Sequence, residues 1–422
     1  MDRRLKILIS AYACSPVRGS EPGMGWGFIS ALARFHDLWV ITEKEKFQKE
    51  VEKGVKNNPG ISEHVRFFFI RKQRHGKLRK VWPPSYYWFY RAWQKEAFKL
   101  AQSLHKEIEF DIVHQLNMVG FREPGFLWRL NAPFVWGPIG GFVQMPMRFA
   151  PLLGTYGSIY YTGRNFLNWL QIKTLSRPHK AARHAGIGLI AATSDIAKSI
   201  HNCWHKDSHI ICEVGPPDIK SISFSRKGDN EPLRLIWSGQ HEPGKGLPIL
   251  LKALNLIKIS TNWRLDILGE GRETSRWKHL AIKLGIVNNC HWHGWIIRDE
   301  CLKKMQKGHV FIASSLQDLT STVIIEALAT GLPVICLDHC GFADVITPKC
   351  GIRIPVTYPQ KVIKDMAWAI QHLANNESLR QQMAGEALKR AAEFSWDNKV
   401  KKLNEIYKQV MKEWSYQSIA SS

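Results

Sequence analysis

Along almost the whole chain, short apolar runs alternate with stretches of 3.6-residue periodicity. That alternation predicts parallel strands joined by crossover helices. In the first half the runs are LKILIS, LWVIT, VRFFFI, DIVHQ, PFVWG, GIGLIAA and HIICEV, with a helical stretch expected after GSEPGMGW. Pro, Gly and charge then break the pattern over residues 216–232, which read as an interdomain linker. The alternation restarts with LRLIWSG, WRLDILG, CHWHG, HVFIAS, LPVICL and GIRIP. Near the end, Val400, Leu403, Ile406, Tyr407, Val410, Met411 and Trp414 recur at three- and four-residue spacing, predicting an amphipathic helix with one face to cover. The expected organisation is an N-terminal doubly wound domain over 1–215, the linker, a second such domain over 233–393 and a tail helix over 394–422.

A length of 422 residues suits two cores better than one. The composition, 45% hydrophobic and 23% charged, is that of a globular protein. Its charge is unusual: 59 basic against 36 acidic residues leaves +23, which calls for an anionic partner such as a nucleic acid, an acidic lipid surface or a phosphorylated substrate. The eight cysteines follow no disulfide-framework spacing and read as free thiols of a reducing compartment. MDRRLKILISAYACSP has too short an apolar run for a secretory signal, and no run of about 20 apolar residues suggests a membrane span. A cytoplasmic protein is expected.

Three loops carry candidate chemistry. In LQDLTSTVIIEALATGLPV, the segment DLTST falls at the carboxyl end of a predicted strand, where ligands of α/β sheets bind. A helix starting there offers free N–H groups and about half a positive charge to a phosphate, and Thr320, Ser321 and Thr322 add hydroxyls. Glu326, one turn further in among apolar residues, is placed to accept bonds from a vicinal diol; plain N-capping would explain the hydroxyls alone. In LRLIWSGQHEPGKGLPILLKAL, Gly239, Gly244 and Lys245 nearly complete a P-loop, but Gly246 stands where the metal-binding hydroxyl belongs. Lys245 still suits a diphosphate, or is a solvated loop lysine. In RGSEPGMGWGF, Gly23, Gly25 and Gly27 would let backbone approach a ligand, or serve a tight turn, without spelling a dinucleotide fingerprint. CHWHG and CLDHC complete no zinc spacing, and D-x-D is absent, so no metal is expected. Basic residues at Arg71, Lys72, Arg74, Lys77, Arg79 and Lys80 precede Trp82, Tyr86, Tyr87, Trp88, Phe89, Tyr90 and Trp93, a mixture that suits an anionic membrane surface, single-stranded nucleic acid or a packed helix.

Together these segments resemble the retaining glycosyltransferases of family 4. SGQHEPGKGLPILLKAL, LDILGEGRETSRWKHLAIKLGI with CHWHGWI, DLTSTVIIEALATGLPVI and FSWDNKV follow that pattern, and ILISAYACSPVRGSEPGMGW with VWGPIGG resembles a bacterial surface-polysaccharide subgroup. The resemblance implies a GT-B fold: two Rossmann-like parallel-sheet domains facing a cleft, with the C-terminal helix crossing back to the N-terminal domain. It implies a hexose-type sugar moved from UDP or GDP to a saccharide or lipid-linked acceptor, with no cofactor beyond the nucleotide-sugar donor. Lys245, helped by the amides of Thr320–Thr322, would neutralise the diphosphate; Gly239 and Gln240 line it; Glu326 would hold the ribose; Asp318 would hold hydroxyls of the transferred sugar. Gly23 and Gly25 would face the diphosphate from the other domain, and His114 would join Asp318 and Lys245 in catalysis.

The chain departs from that pattern at three places. Asp318 replaces the first Glu of E-x(7)-E, Gln240 stands where an Arg often precedes the Lys, and Leu116 replaces a second His. These departures motivate a second reading, an inactive sugar-nucleotide-binding member. The charge motivates a third, a nucleic-acid-binding protein, although no RRM, KH or zinc-finger signature is present.

Overall fold

A computed structural model describes residues 3–72, 85–217, 226–228, 231–257 and 262–420, the last four by backbone alone. Arg74, Lys77, Arg79, Lys80 and Trp82 of the basic segment, and most of the expected linker, lie outside the described residues. The chain forms two compact units: Met1–Phe142 with Leu170–Gly215 and Trp396–Ser422, and Val143–Trp169 with Pro216–Ser395.

Unit 1 is built on a seven-stranded sheet of β1 (Lys6–Ala11), β2 (Asp37–Glu43), β3 (Val65–Ile70), β4 (Ile112–Asn117), β5 (Phe134–Ile139), β6 (Leu189–Ala191) and β7 (His209–Ile210). The order is β3-β2-β1-β4-β5-β6-β7, and every pairing is parallel. Strands buried on both faces need near-continuous apolar runs, which explains why β1 and β5 read so plainly. The outermost, β7, shrinks to two residues of the HIICEV run, since an edge strand has one neighbour only. The first helix, Ser20–Leu32, starts earlier than the sequence suggests and places Gly23, Gly25 and Gly27 inside it.

The tail helix Trp396–Ala420 packs on unit 1, burying Val400, Leu403, Ile406, Tyr407 and Val410, at roughly 1.5–3 kcal/mol for each fully covered apolar side chain. Gly27 is required there because a Cβ would lie 2.3 Å from the Trp396 indole. Gly27→Ala is therefore expected to destabilise unit 1 by about 1–3 kcal/mol despite alanine's helix propensity. Gly385→Ala, in the helix Glu377–Glu393 with nothing within 4 Å of its added carbon, should stabilise by about 0.5–1 kcal/mol. Urea titrations of the two variants would separate these opposite signs; two changes of the same sign would refute the packing account.

Unit 2 carries a six-stranded parallel sheet of β8 (Leu233–Ser238), β9 (Trp263–Leu268), β10 (Cys290–Trp292), β11 (Val310–Ala313), β12 (Val334–Asp338) and β13 (Gly351–Pro355), in the order β10-β9-β8-β11-β12-β13. Residues 143–169, expected in the N-terminal domain, belong here instead. Phe149, Leu152, Leu153 and Tyr161 join the apolar cluster of Trp237, Leu250 and Trp277. Arg276 donates to the carbonyls of Leu152 at 3.4 Å and Leu153 at 3.2 Å, tying the segment to the second sheet's helices. None of the eight cysteines forms a disulfide; six are buried and Cys203 is exposed.

Candidate functional site

In unit 2 the strand order reverses between β8 and β11, the switch point where open α/β sheets bind ligands. The loop after β8 runs through Gly239 and Gln240 to a 3-10 turn, Pro243–Lys245, and on to the buried helix Leu247–Asn255. Gly246 has φ +65°, and a Cβ there would lie 2.2 Å from the Ser314 carbonyl oxygen. The position that a metal-binding hydroxyl would take in a P-loop is thus reserved for glycine by backbone crowding. The loop after β11 is locked against this one. Leu316 N donates to Gly244 O at 2.8 Å, and Ser314 Oγ donates to Lys245 O at 3.0 Å while accepting from Trp237 Nε1 at 3.0 Å.

Across the two loops, Lys245 Nζ donates to Asp318 Oδ2 at 2.5 Å, with both side chains largely but not fully buried. Two residues expected from the sequence to act on one substrate are therefore adjacent. Gly239 belongs to the same group, since a Cβ on it would lie 3.8 Å from Lys245 Cδ, and Gln240 is exposed beside it. Thr320 is buried, and Ser321 and Thr322 lie at the start of the helix Thr322–Ala329. Ser321 takes φ +72°, rare for a residue with a side chain, and makes no side-chain cap. The hydroxyl of that N-cap residue is thus not spent on its own helix, contrary to the capping explanation.

Glu326 is not on an exposed face. Its carboxylate is 6% exposed and accepts from Arg298 Nε at 2.6 Å. Cys301, 3.6 Å from Ser238 Oγ at the end of β8, feels the charges of both Glu326 and Arg298, which puts this pair at the same edge of the sheet. Sequence reading missed Arg298. A base in the first turn of the helix Arg298–Gln306 opposes the helix dipole, and that mismatch was the available signal for a carboxylate partner elsewhere. Tyr161 was missed too: its hydroxyl accepts from the Gly244 amide, and burial pushes the phenol up to about 12. Among the described residues no group of three or more His, Cys, Asp or Glu side chains could hold a metal ion.

The residues expected on the acceptor side lie in unit 1 and behave differently. Gly23 and Gly25 face the chain's own carbonyls: added carbons would lie 2.5 Å from Arg18 O and 2.3 Å from Ala13 O. Their space is filled by the loop after β1, which Asn117 also grips by bonding both Ala13 N at 3.1 Å and Ala13 O at 2.7 Å. His114 is a correction. It is fully buried in β4, its Nε2 donates to Gly137 O at 2.9 Å, and its Nδ1 accepts from Tyr407 Oη at 2.8 Å. Both ring nitrogens are committed to the fold and burial drops its pKa to about 4, so His114 anchors the tail helix and offers no group to a substrate. Of the aromatic run, Tyr90 and Trp93 are core residues, while Tyr87 and Trp88 are exposed.

Comparisons with known proteins bear on the family and the fold. Residues 218–390 match the family model described as "Glycosyl transferases group 1". An uncharacterized glycosyltransferase, MJ1607 of Methanocaldococcus jannaschii, is 24% identical over 249 residues, 57% of this chain and 60% of the relative. The lipopolysaccharide glucosyltransferase WaaG of Escherichia coli is 25% identical over 181 residues, 39% of this chain and 48% of WaaG. The chain spans about half the length of the curated relatives it matches. Among solved structures, a glycosyltransferase from Rickettsia africae superposes with a TM-score of 0.64 at 17% identity, over 97% of this chain and 99% of that one. Anabaena HepE in complex with UDP gives 0.57 at 14% identity, over 98% and 100%. Residues 218–390 of unit 2 thus resemble a group 1 glycosyltransferase domain, and the fold, with its two Rossmann-like parallel-sheet units, is GT-B.

Proposed function

We propose that the protein is a retaining glycosyltransferase that moves a hexose-type sugar from UDP or GDP to a saccharide or lipid-linked acceptor, in the synthesis of a surface polysaccharide or glycolipid. The observation that carries this reading is the Lys245–Asp318 contact at the switch point, beside the uncapped helix start at Ser321 and the buried Glu326. As the sugar leaves, negative charge grows on the diphosphate. A fixed ammonium and preorganised amides stabilise it in a site that costs little reorganisation, and no metal is called on. Asp318 would accept from sugar hydroxyls and Glu326 from the ribose diol. The likeness to a lipopolysaccharide glucosyltransferase supports a surface-glycan acceptor, and the UDP complex of HepE supports a uridine donor. The proposed location is the cytoplasmic face of an anionic membrane, with the exposed Tyr87 and Trp88 of the 71–93 segment near the lipid. Among the described residues no helix is long and apolar enough to cross a membrane.

One observation favours the second reading, an inactive sugar-nucleotide binder: both acids already hold cations, Asp318 with Lys245 and Glu326 with Arg298. A thermal-shift panel of UDP, GDP and their sugars, followed by detection of released nucleotide, decides between the two. Glu326→Gln is expected to weaken nucleoside diphosphate roughly tenfold, as one charged hydrogen bond predicts, while leaving pyrophosphate affinity alone. Equal losses for both ligands would remove Glu326 from the ribose.

A further inference from the structure

Over Gly154–Trp169, the part that belongs to unit 2, the helix Gly154–Thr174 has one buried face and one exposed face. Its inner residues are fixed: Tyr161 Oη on the Gly244 amide, Asn165 Nδ2 donating to Met145 O at 2.8 Å, and Asn168 fully buried. Its outer face, at helical spacing, is apolar and aromatic. Tyr156 is 50% exposed, Ile159 71%, Tyr160 49%, Phe166 60%, Leu167 53% and Trp169 50%. Apolar side chains this exposed on one stripe mark an interaction surface.

The chemistry of the surroundings selects the partner. No Asp or Glu occurs between Glu123 and Asp195, whereas Arg129, Arg148, Arg164, Lys173, Lys180 and Arg183 do, and Arg177, which pairs with Glu123 at 2.7 Å. Arg272 stacks over the Tyr156 ring at 4.1 Å, with Glu242 the nearest acid to it at 3.8 Å. Trp and Tyr mixed with aliphatic side chains on an acid-free, basic-flanked helix match the headgroup boundary of a bilayer with anionic lipid. Two hydroxyls on the helix are spent on its own backbone, Ser158 Oγ on Gly154 O at 2.8 Å and Thr162 Oγ1 on Ser158 O at 2.8 Å, so immersion does not strand them.

We infer that this helix lies in the interface of an anionic membrane, its Tyr156–Leu167 stripe inserted among the lipids. The inference goes beyond the proposed transfer reaction and does not need it. Because Tyr161 holds Gly244, the helix also fixes the phosphate loop of unit 2 with respect to the membrane surface.

Cosedimentation of the full chain with phosphatidylcholine vesicles, with and without phosphatidylglycerol, tests it. Binding is expected only with the anionic lipid, falling at least about tenfold in Ile159→Glu/Phe166→Glu. It should be unchanged in Ile282→Glu, an equally exposed apolar site of unit 2. UDP affinity, measured in parallel, should be the same in all three proteins, so failure here is separable from failure of the donor site. Equal sedimentation of wild type and the double variant would overturn the proposal. So would a wild-type dimer that the double variant dissociates, without vesicle binding by either; the stripe would then cover a second copy.

Discussion

Lys245→Ala is expected to weaken binding of a nucleoside diphosphate roughly 10–100-fold, the worth of one charge-assisted hydrogen bond, and to lower the transfer rate by about 10²–10³. The fold should persist, because the lysine side chain is 24% exposed and its partner Asp318 retains access to water. The ion pair adds a second, opposite expectation. In the free protein Asp318 competes with phosphate for the ammonium at 2.5 Å. Asp318→Asn should therefore bind the bare diphosphate more tightly than the parent while binding the sugar nucleotide less tightly and turning it over poorly. Calorimetry with UDP and UDP-sugar on the two variants measures this split. A Lys245→Ala protein with unaltered diphosphate affinity would remove the site from β8 and β11.

Acid should unfold the protein through its histidines. Burial holds His114, His241 and His309 at about 4, helped at His241 by the Lys278 charge and at His309 by Arg380 and Arg234. In the unfolded chain each takes its proton near about 6.5. Between these values the unfolded state binds more protons, so the stability from keeping each ring neutral is complete above about pH 6.5 and is lost as the pH falls towards 4. The loss is on the order of 1–3 kcal/mol per histidine. His241 and His309 lie in unit 2, while His114 lies in unit 1 with His36 and His209, which burial also lowers, so both units should weaken. Urea midpoints at about pH 7.5 and about pH 4.5 would report it, and His309→Gln should flatten the unit 2 profile. A midpoint that does not move across this range would contradict the burial of these rings.

Much of the fold is legible in the chain because both sheets are parallel and buried on two faces. Such strands are mainly apolar, and each of the thirteen runs read as a strand overlaps one. Loops at strand ends were legible for a related reason: hydroxyls, glycines and a lysine between a β-run and a helix have few structural roles. Lys245, Asp318, Thr320–Thr322 and Glu326 all come to one edge of unit 2. His114 misled because a histidine inside an apolar run reads the same whether it faces a ligand or, as here, a tyrosine 293 positions away.

The apolar rhythm alone settled the two parallel sheets, the tail helix and the loops that gather at the β8–β11 switch, since local periodicity and turn chemistry need no distant partner. Tertiary structure decided the rest: that residues 143–169 leave their neighbours for the second sheet, that Glu326 meets Arg298, that Gly23 and Gly25 make room for the chain itself, and that His114 is core. Each of those is a contact between residues far apart in sequence. Local pattern carries which residues want burial or charge, and only the closed fold says which of them meet.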